Sequence, residues 1–157
     1  MYRWLLTLLM LPAGLGLAGD TNLERATLRG LKGINIVVDP LDSELEHDGL
    51  SATAFRIRIE DRLRKADIPI DSNAREFLGL RVTGVHAKRM PVAMCLTLAL
   101  YQPVILSRDA KTRIATGTWN VETVMMSGEK VLQGSASSSL EELVDQFVRA
   151  YRSVNPK

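Results

Sequence analysis

The sequence predicts one α/β domain built as a two-layer sandwich, with a mainly antiparallel sheet of about four strands and two helices on one of its faces. Three observations favour this fold. Long runs in the middle of the chain alternate apolar and polar residues, as strands do, and two other segments carry apolar residues at helical spacing. The links between the alternating runs are short and polar, which suits antiparallel neighbours.

The first strand is predicted at 34–38, where apolar, largely β-branched residues stand between Gly33 and Asp39. The next segment, 41–49, is acidic and turn-like. It leads to Ser51, a residue type that caps the start of a helix by accepting a backbone hydrogen bond.

The segment 51–67 shows two competing periods. Residues 55–60 alternate like a strand, but an apolar stripe at steps of three and four residues runs for longer, so we predict a helix that ends before Pro69. The basic residues of this helix are interleaved with acidic ones. We interpret them as a solvated helix face and not as a polyanion site, because binding to nucleic acid needs a concentrated basic surface.

Three longer strands are predicted at 78–82, 92–104 and 112–125, from their alternating pattern. A closing helix follows. Its start is predicted at Ser139, because Ser139 and Glu142 have the spacing of a capping box, and the apolar residues after them recur at helical intervals.

Residues 1–18 are predicted to be an export signal. Arg3 supplies a basic head, an apolar run follows at 4–11, and Gly16 and Ala18 are the small residues that a signal peptidase needs. The run is interrupted too early to span a bilayer, which takes about 20 apolar residues. We therefore predict cleavage near Ala18, a periplasmic or secreted location, and no stable membrane span after cleavage.

The single domain is predicted to comprise residues 19–157. No Cys stands directly after the signal, where Gly19 and Asp20 are found, so a lipid anchor is not expected. Because Cys95 is the only Cys of the chain, an intramolecular disulfide is impossible. We expect Cys95 to be a small core residue. The 20 basic and 18 acidic side chains leave a formal net charge of +2, and we predict no binding to nucleic acid.

The sequence offers no convincing catalytic set. His47 and His86 are the only histidines, and both are interpreted as ordinary solvent-facing side chains. The acidic residues between Asp39 and Asp48 lack the spacing of a calcium loop and are interpreted as a surface turn. We predict no catalytic residue, no metal site and no cofactor.

Three residues are weak candidates for binding a ligand or partner. Trp119 can contribute to a ligand-facing sheet surface, although a strand residue packed under a helix explains it as well. If both helices cover one side of the sheet, the other side is left half apolar and open to water. Thr97 and Tyr101 lie on that second face, and a patch of this kind commonly marks a binding site.

The chain resembles a group of small exported bacterial proteins of unknown function, through the segments 27–34 (TLRGLKGI), 62–70 (RLRKADIPI), 118–120 (TWN) and 143–156. Its element order is similar to that of two-layer α/β domains of envelope accessory proteins, such as the lipopolysaccharide-assembly lipoprotein and the N-terminal domain of the Tol-system propeller protein. The resemblance implies a role in the cell envelope, but a shared fold does not by itself carry a function.

The first functional hypothesis is an exported, non-catalytic protein that binds another envelope component, either a protein or a lipid, through its sheet face or edge strand. The second is a hydrolase-like enzyme that uses a His with carboxylates assembled by the fold. The third is a carrier of a small apolar ligand held between helices and sheet, which would need a cavity there. The sequence does not predict the oligomeric state.

Overall fold

A computed structural model describes residues 19–86 and 91–156, so the predicted export signal lies outside the described residues. The elements are, in chain order, α1 (Asn22–Ala26), β1 (Asn35–Val38), α2 (Ser43–His47), α3 (Ala52–Lys65), β2 (Phe77–Val85), β3 (Val92–Leu106), β4 (Asp109–Ser127), a 3-10 turn (Glu129–Val131) and α4 (Leu132–Val154).

The four strands form one sheet in the order β1-β2-β3-β4. β1 runs parallel to β2, and the other neighbours are antiparallel. β2 begins at Phe77, which lies opposite Tyr101. Beyond that row, β3 and β4 continue without β2 as a two-stranded hairpin to the Leu106–Asp109 pair. The predicted fold class is confirmed.

The core lies between the sheet and α3 and α4. Alternate residues of the central strands, such as Leu80 and Leu98, meet Ile59 of α3 and Phe147 of α4, and all four are almost completely buried. The opposite side of the sheet is here called the open face. It carries these side chains: Val37, Phe77, Gly79, Arg81, Thr83, Val85, Ala93, Cys95, Thr97, Ala99, Tyr101, Asn120, Glu122, Val124, Met126.

The helical interpretation of 51–67 is confirmed. Ser51 caps α3 by accepting a hydrogen bond from the amide of Ala54 at 3.4 Å, and the predicted apolar stripe is buried. On the outer side of the helix, Arg62 forms ion pairs with Glu141 and Asp145 of α4. Because these side chains are exposed in part, each pair contributes little to stability, but together they hold the two helices side by side.

The predicted start of the closing helix is wrong. α4 begins at Leu132, and Ser139 lies inside it, where its hydroxyl points to the sulfur of Met125 at 3.5 Å. A Gly- and Ser-rich stretch favours a loop by local propensity. Here tertiary packing overrides that preference, because Leu132 and Ala136 of the extra turns are completely buried.

Two segments in which the sequence predicts no helix contain short helices. α1 begins with a capping box between Thr21 and Glu24, and α2 is capped by Asp42, which accepts from the amide of Leu45 at 2.9 Å. Cys95 is also placed differently from the prediction. It lies half-buried on the open face, because the odd-numbered residues of β3 point away from the helices.

Within the two described ranges, no helix combines the length and the apolar character needed to cross a bilayer.

Candidate functional site

A depression of about 260 Å³ lies in the open face, at the end of the sheet nearest to the β3–β4 hairpin. Its floor is formed by Gly79 and Ala99, which are directly opposite each other on β2 and β3. Neighbouring positions with almost no side chain leave a hollow in the surface of the sheet. The residues that surround the floor are Asp39, Phe77, Leu80, Arg81, Thr97 and Tyr101.

One wall of the depression is aromatic. The rings of Phe77 and Tyr101 stack with their centroids 4.8 Å apart and their planes only 10° from parallel. A Cβ atom on Gly79 would approach Cε2 of Tyr101 to 3.1 Å. Glycine at this position therefore lets the tyrosine ring lie close to the floor, and a larger residue would displace the ring.

The opposite rim is polar. The Nε atom of Arg81 donates a hydrogen bond to Oδ2 of Asp39 at 2.9 Å, and both side chains are exposed. This hydrogen bond, with the nearby Asp39 charge, raises the pKa of Arg81. An arginine side chain is positively charged at any working pH. The hydroxyl of Thr97 completes the rim. Paired opposite charges beside an apolar wall suit a ligand that has both polar groups and apolar surface.

Two of the three candidate residues from the sequence, Thr97 and Tyr101, line this depression. Trp119 does not, and its assignment to a ligand-facing surface is corrected. It pairs with Leu100 on the helix side of the sheet and is completely buried. There it packs edge-on against Phe147, with ring centroids 5.2 Å apart, so packing under a helix is the explanation that holds.

Sequence reasoning missed Asp39, Phe77 and Arg81 as neighbours of Tyr101. The alternation of β2 already placed Gly79 and Arg81 on one face, and Phe77 shares their parity. What the sequence lacked was the register, which sets Phe77 opposite Tyr101. No local signal reports such a pairing between strands.

An apolar strip continues the open face away from the depression. It consists of Val85, Val124 and Met126, all large apolar side chains that are well exposed. The pairing of the strands makes them neighbours, because Val85 and Met126 both flank Ala93. Arg81, Thr97 and Glu122 lie side by side across the sheet. Val124, the first residue of the strip, is two residues beyond Glu122 along β4, a distance of about 7 Å.

A second polar cluster surrounds His86, at the end of β2. Its Nε2 atom lies 2.7 Å from Oδ2 of Asp48, and Oε2 of Glu44 lies 3.0 Å from Nδ1 but outside the direction of a hydrogen bond. The hydrogen bond to Asp48 has the largest effect on the pKa of His86 and raises it. Burial comes second and lowers the pKa, but the hydrogen bond and the charges of Asp48, Glu44 and Asp42 together outweigh it, so the pKa is raised. Within the described residues these groups do not form a metal-binding arrangement.

His86 is therefore better suited to joining α2 to the end of β2 than to accepting a proton in catalysis. Both ring nitrogens face a carboxylate, Nε2 that of Asp48 and Nδ1 that of Glu44, whereas a catalytic base directs one nitrogen to its nucleophile or to water. The other histidine, His47, is exposed on α2. The interpretation of His86 as an ordinary solvent-facing side chain is corrected, because it is partly buried and hydrogen-bonded to Asp48.

We expect the stability contributed by His86 to depend on pH. Because its folded-state pKa lies above the ordinary value of 6.5, its contribution is complete below that value and is lost as the pH rises through the folded-state pKa. As the pH rises from below 6.5 through the folded-state pKa, the melting temperature of the wild type should therefore fall relative to that of His86→Gln. Thermal melts of both proteins at closely spaced pH values measure the difference, and parallel curves would contradict the ion-paired arrangement.

Comparisons with known proteins leave the function open. No family model matches the chain, and no curated protein matches it. Among solved structures, a dodecamer of a PelC variant from Paraburkholderia phytofirmans is similar with a TM-score of 0.44 and 16% identity, over 72% of this chain and 84% of that chain. A minor lipoprotein from Acinetobacter baumannii has a TM-score of 0.32 and 11% identity, over 80% of this chain and 97% of that chain. Likenesses this distant carry no functional argument.

Proposed function

We propose that this protein is a non-catalytic, exported component of the bacterial cell envelope that binds another envelope component through the open face of its sheet. The export signal predicted at 1–18 supports the periplasmic or secreted location. The observation that carries the binding function is the depression beside the stacked rings of Phe77 and Tyr101, on a face whose side chains are half-buried or exposed almost throughout.

The two parts of the open face suit a ligand of mixed character. The rim of Arg81, Asp39 and Thr97 offers hydrogen-bond donors and acceptors, and the aromatic wall offers apolar surface. The apolar strip lies close enough for the same ligand to cover it. A protein segment or a lipid can supply both kinds of group, and the depression would fix its polar part.

The two other hypotheses receive less support. A His-based hydrolase needs one ring nitrogen directed to a nucleophile or water, whereas both nitrogens of His86 face carboxylates, those of Asp48 and Glu44. A carrier of an apolar ligand needs space between helices and sheet, whereas Leu98, Trp119 and Phe147 fill that region and are completely buried.

The proposal is tested by hydrogen exchange measured by mass spectrometry, with and without envelope extract. The extract is divided into a detergent-solubilised protein fraction and protein-free lipid vesicles, so that the two sources of ligand are separated. We expect slower exchange in the peptides covering 77–85 and 92–101, with one fraction only. Unchanged exchange on the open face with both fractions would count against the proposal.

Matched arginine variants show whether the depression is responsible. Arg81→Ala removes the cation of the polar rim and is expected to weaken binding at least about tenfold. Arg56→Ala is the control, because Arg56 forms an ion pair of the same length, 2.9 Å, with Glu60 on α3, away from the open face. Equal binding by both variants would show that the ligand is held elsewhere.

A further inference from the structure

The outer edge of β4 has backbone groups that can accept another strand. The amide of Asn120 donates to the carbonyl of Gly19 at 3.2 Å, which shows that the even-numbered residues here point away from β3. Glu122, Val124 and Met126 share that orientation. In the described part of the chain, their backbone amides have no hydrogen-bond partner.

The side chains on this edge do little to prevent pairing. Proteins commonly protect an edge strand with charged residues, proline or a covering segment. Here Val124 and Met126 are 74% and 64% exposed, and only Glu122 carries a charge. The free edge therefore combines unpaired backbone groups with exposed apolar side chains.

We propose that two copies of this chain pair along the free edge of β4, antiparallel about a two-fold axis at Val124. Val124 then lies opposite Val124 of the second copy, and Glu122 lies opposite Met126 of the second copy. The outward N–H and C=O groups of all three residues find partners in both copies. The two sheets become one, and their apolar strips become neighbours.

The limits of the free edge fit a second copy. At the Asn120 end of the free edge, Gly19 of the same copy already lies beside β4. In this register the position opposite Asn120 is Gly128 of the second copy, which comes after β4 has ended at Ser127. Because Gly19 already accepts the hydrogen bond of the Asn120 amide, the pairing of the two copies is confined to residues 121–127.

Exposed apolar residues outside the strip also meet in this arrangement. Leu23 projects from α1, which is held against this end of β4 by the hydrogen bond from Thr27 to the carbonyl of Thr118. Val131 projects from the turn after β4. The two-fold axis brings the turn of each copy to the α1 end of the other, so that both kinds of exposed side chain lie in the interface.

Charge does not oppose the pairing. The two Glu122 side chains are four residues apart along paired strands, about 14 Å. That distance exceeds the screening length of about 8 Å at physiological ionic strength. An in-register parallel arrangement would instead place Glu122 opposite Glu122 of the second copy, and the two like charges would repel each other.

The pairing is tested by analytical ultracentrifugation of the wild-type protein after removal of the predicted signal, which measures its mass at concentrations from about 1 μM to 1 mM. We expect the wild type to change from monomer to dimer. Val124→Lys places a charge on the edge and should weaken dimerisation at least tenfold. Ile57→Lys, at a 54% exposed apolar position on α3, should behave as the wild type. A wild type that remains monomeric throughout, or a Val124→Lys variant that dimerises equally well, would overturn the proposal.

Cross-linking tests the register. The native Cys95 is first replaced by alanine, because it lies directly opposite Val124 and would compete for a disulfide within the chain. A mixture of Glu122→Cys and Met126→Cys proteins should then form mixed dimers at least tenfold faster than either variant alone. Equal rates in the mixture and the single variants would refute this register. Neither experiment involves the depression, so failure here leaves the proposed binding function unaffected.

Discussion

Replacing Trp119 with alanine is expected to lower the free energy of unfolding by about 3–5 kcal/mol. The side chain is completely buried and packs against Phe147, so its removal leaves a large cavity in the layer between sheet and helices. Its indole N–H also donates to Oδ1 of Asp20 at 2.9 Å, and that hydrogen bond is lost. Chemical denaturation followed by circular dichroism measures the change.

Trp119→Phe is the matched variant for this prediction. It keeps an aromatic ring against Phe147 but cannot donate to Asp20, so its cost should fall well below that of alanine. If the variant is folded, binding through the open face should be unchanged, because Trp119 lies on the opposite side of the sheet. An alanine variant that lost less than about 1 kcal/mol would contradict a buried position for this ring.

Asp20→Ala is expected to cost about 2 kcal/mol. The side chain of Asp20 is only 5% exposed and accepts hydrogen bonds from Trp119 and, at 2.7 and 2.6 Å, from Arg25. Without the carboxylate, the buried indole N–H has no partner and Arg25 loses its ion pair. Asp39→Ala is the control, because its ion pair with Arg81 is exposed to solvent and should contribute far less to stability than Asp20 does.

The contribution of Asp20 should disappear in acid. Burial raises its pKa, but the hydrogen bonds from Arg25 and Trp119 and the charge of Arg25 together outweigh burial, and the folded-state pKa lies below the ordinary value of 3.8. A depressed pKa stabilises the folded protein above the ordinary value, and this stabilisation is lost as the pH falls through the folded-state pKa. Urea denaturation at pH 7 and near the folded-state pKa should show the difference between wild type and Asp20→Asn becoming smaller in acid.

Both predictions concern one feature of the fold, the attachment of the N-terminal segment to the sheet. Asp20 and Gly19 hold this segment against Trp119 and Asn120 of β4. The same attachment limits the free edge of the strand to the part beyond Asn120. A segment in which the sequence predicts no helix or strand thus contributes to core stability and also defines the edge available for pairing.

The local patterns of the sequence were sufficient for the type and order of the main elements. The stripe of α3 and the alternation of β2 and β3 are properties of neighbouring residues, and burial of one face enforces them. The start of α4 could not be predicted in this way. Its first turns contain residues that favour a loop, and they are helical because Leu132 and Ala136 are buried.

For the candidate site, the sequence by itself determined that Thr97 and Tyr101 share a face of their strand, since side chains alternate along any strand. Only the tertiary structure decided that this face is open, that Phe77 lies beside Tyr101, and that Trp119 faces the helices. It also brought Asp48 to His86, 38 residues further along the chain. These outcomes depend on strand register and on the side that the helices cover, and contacts between distant segments set both.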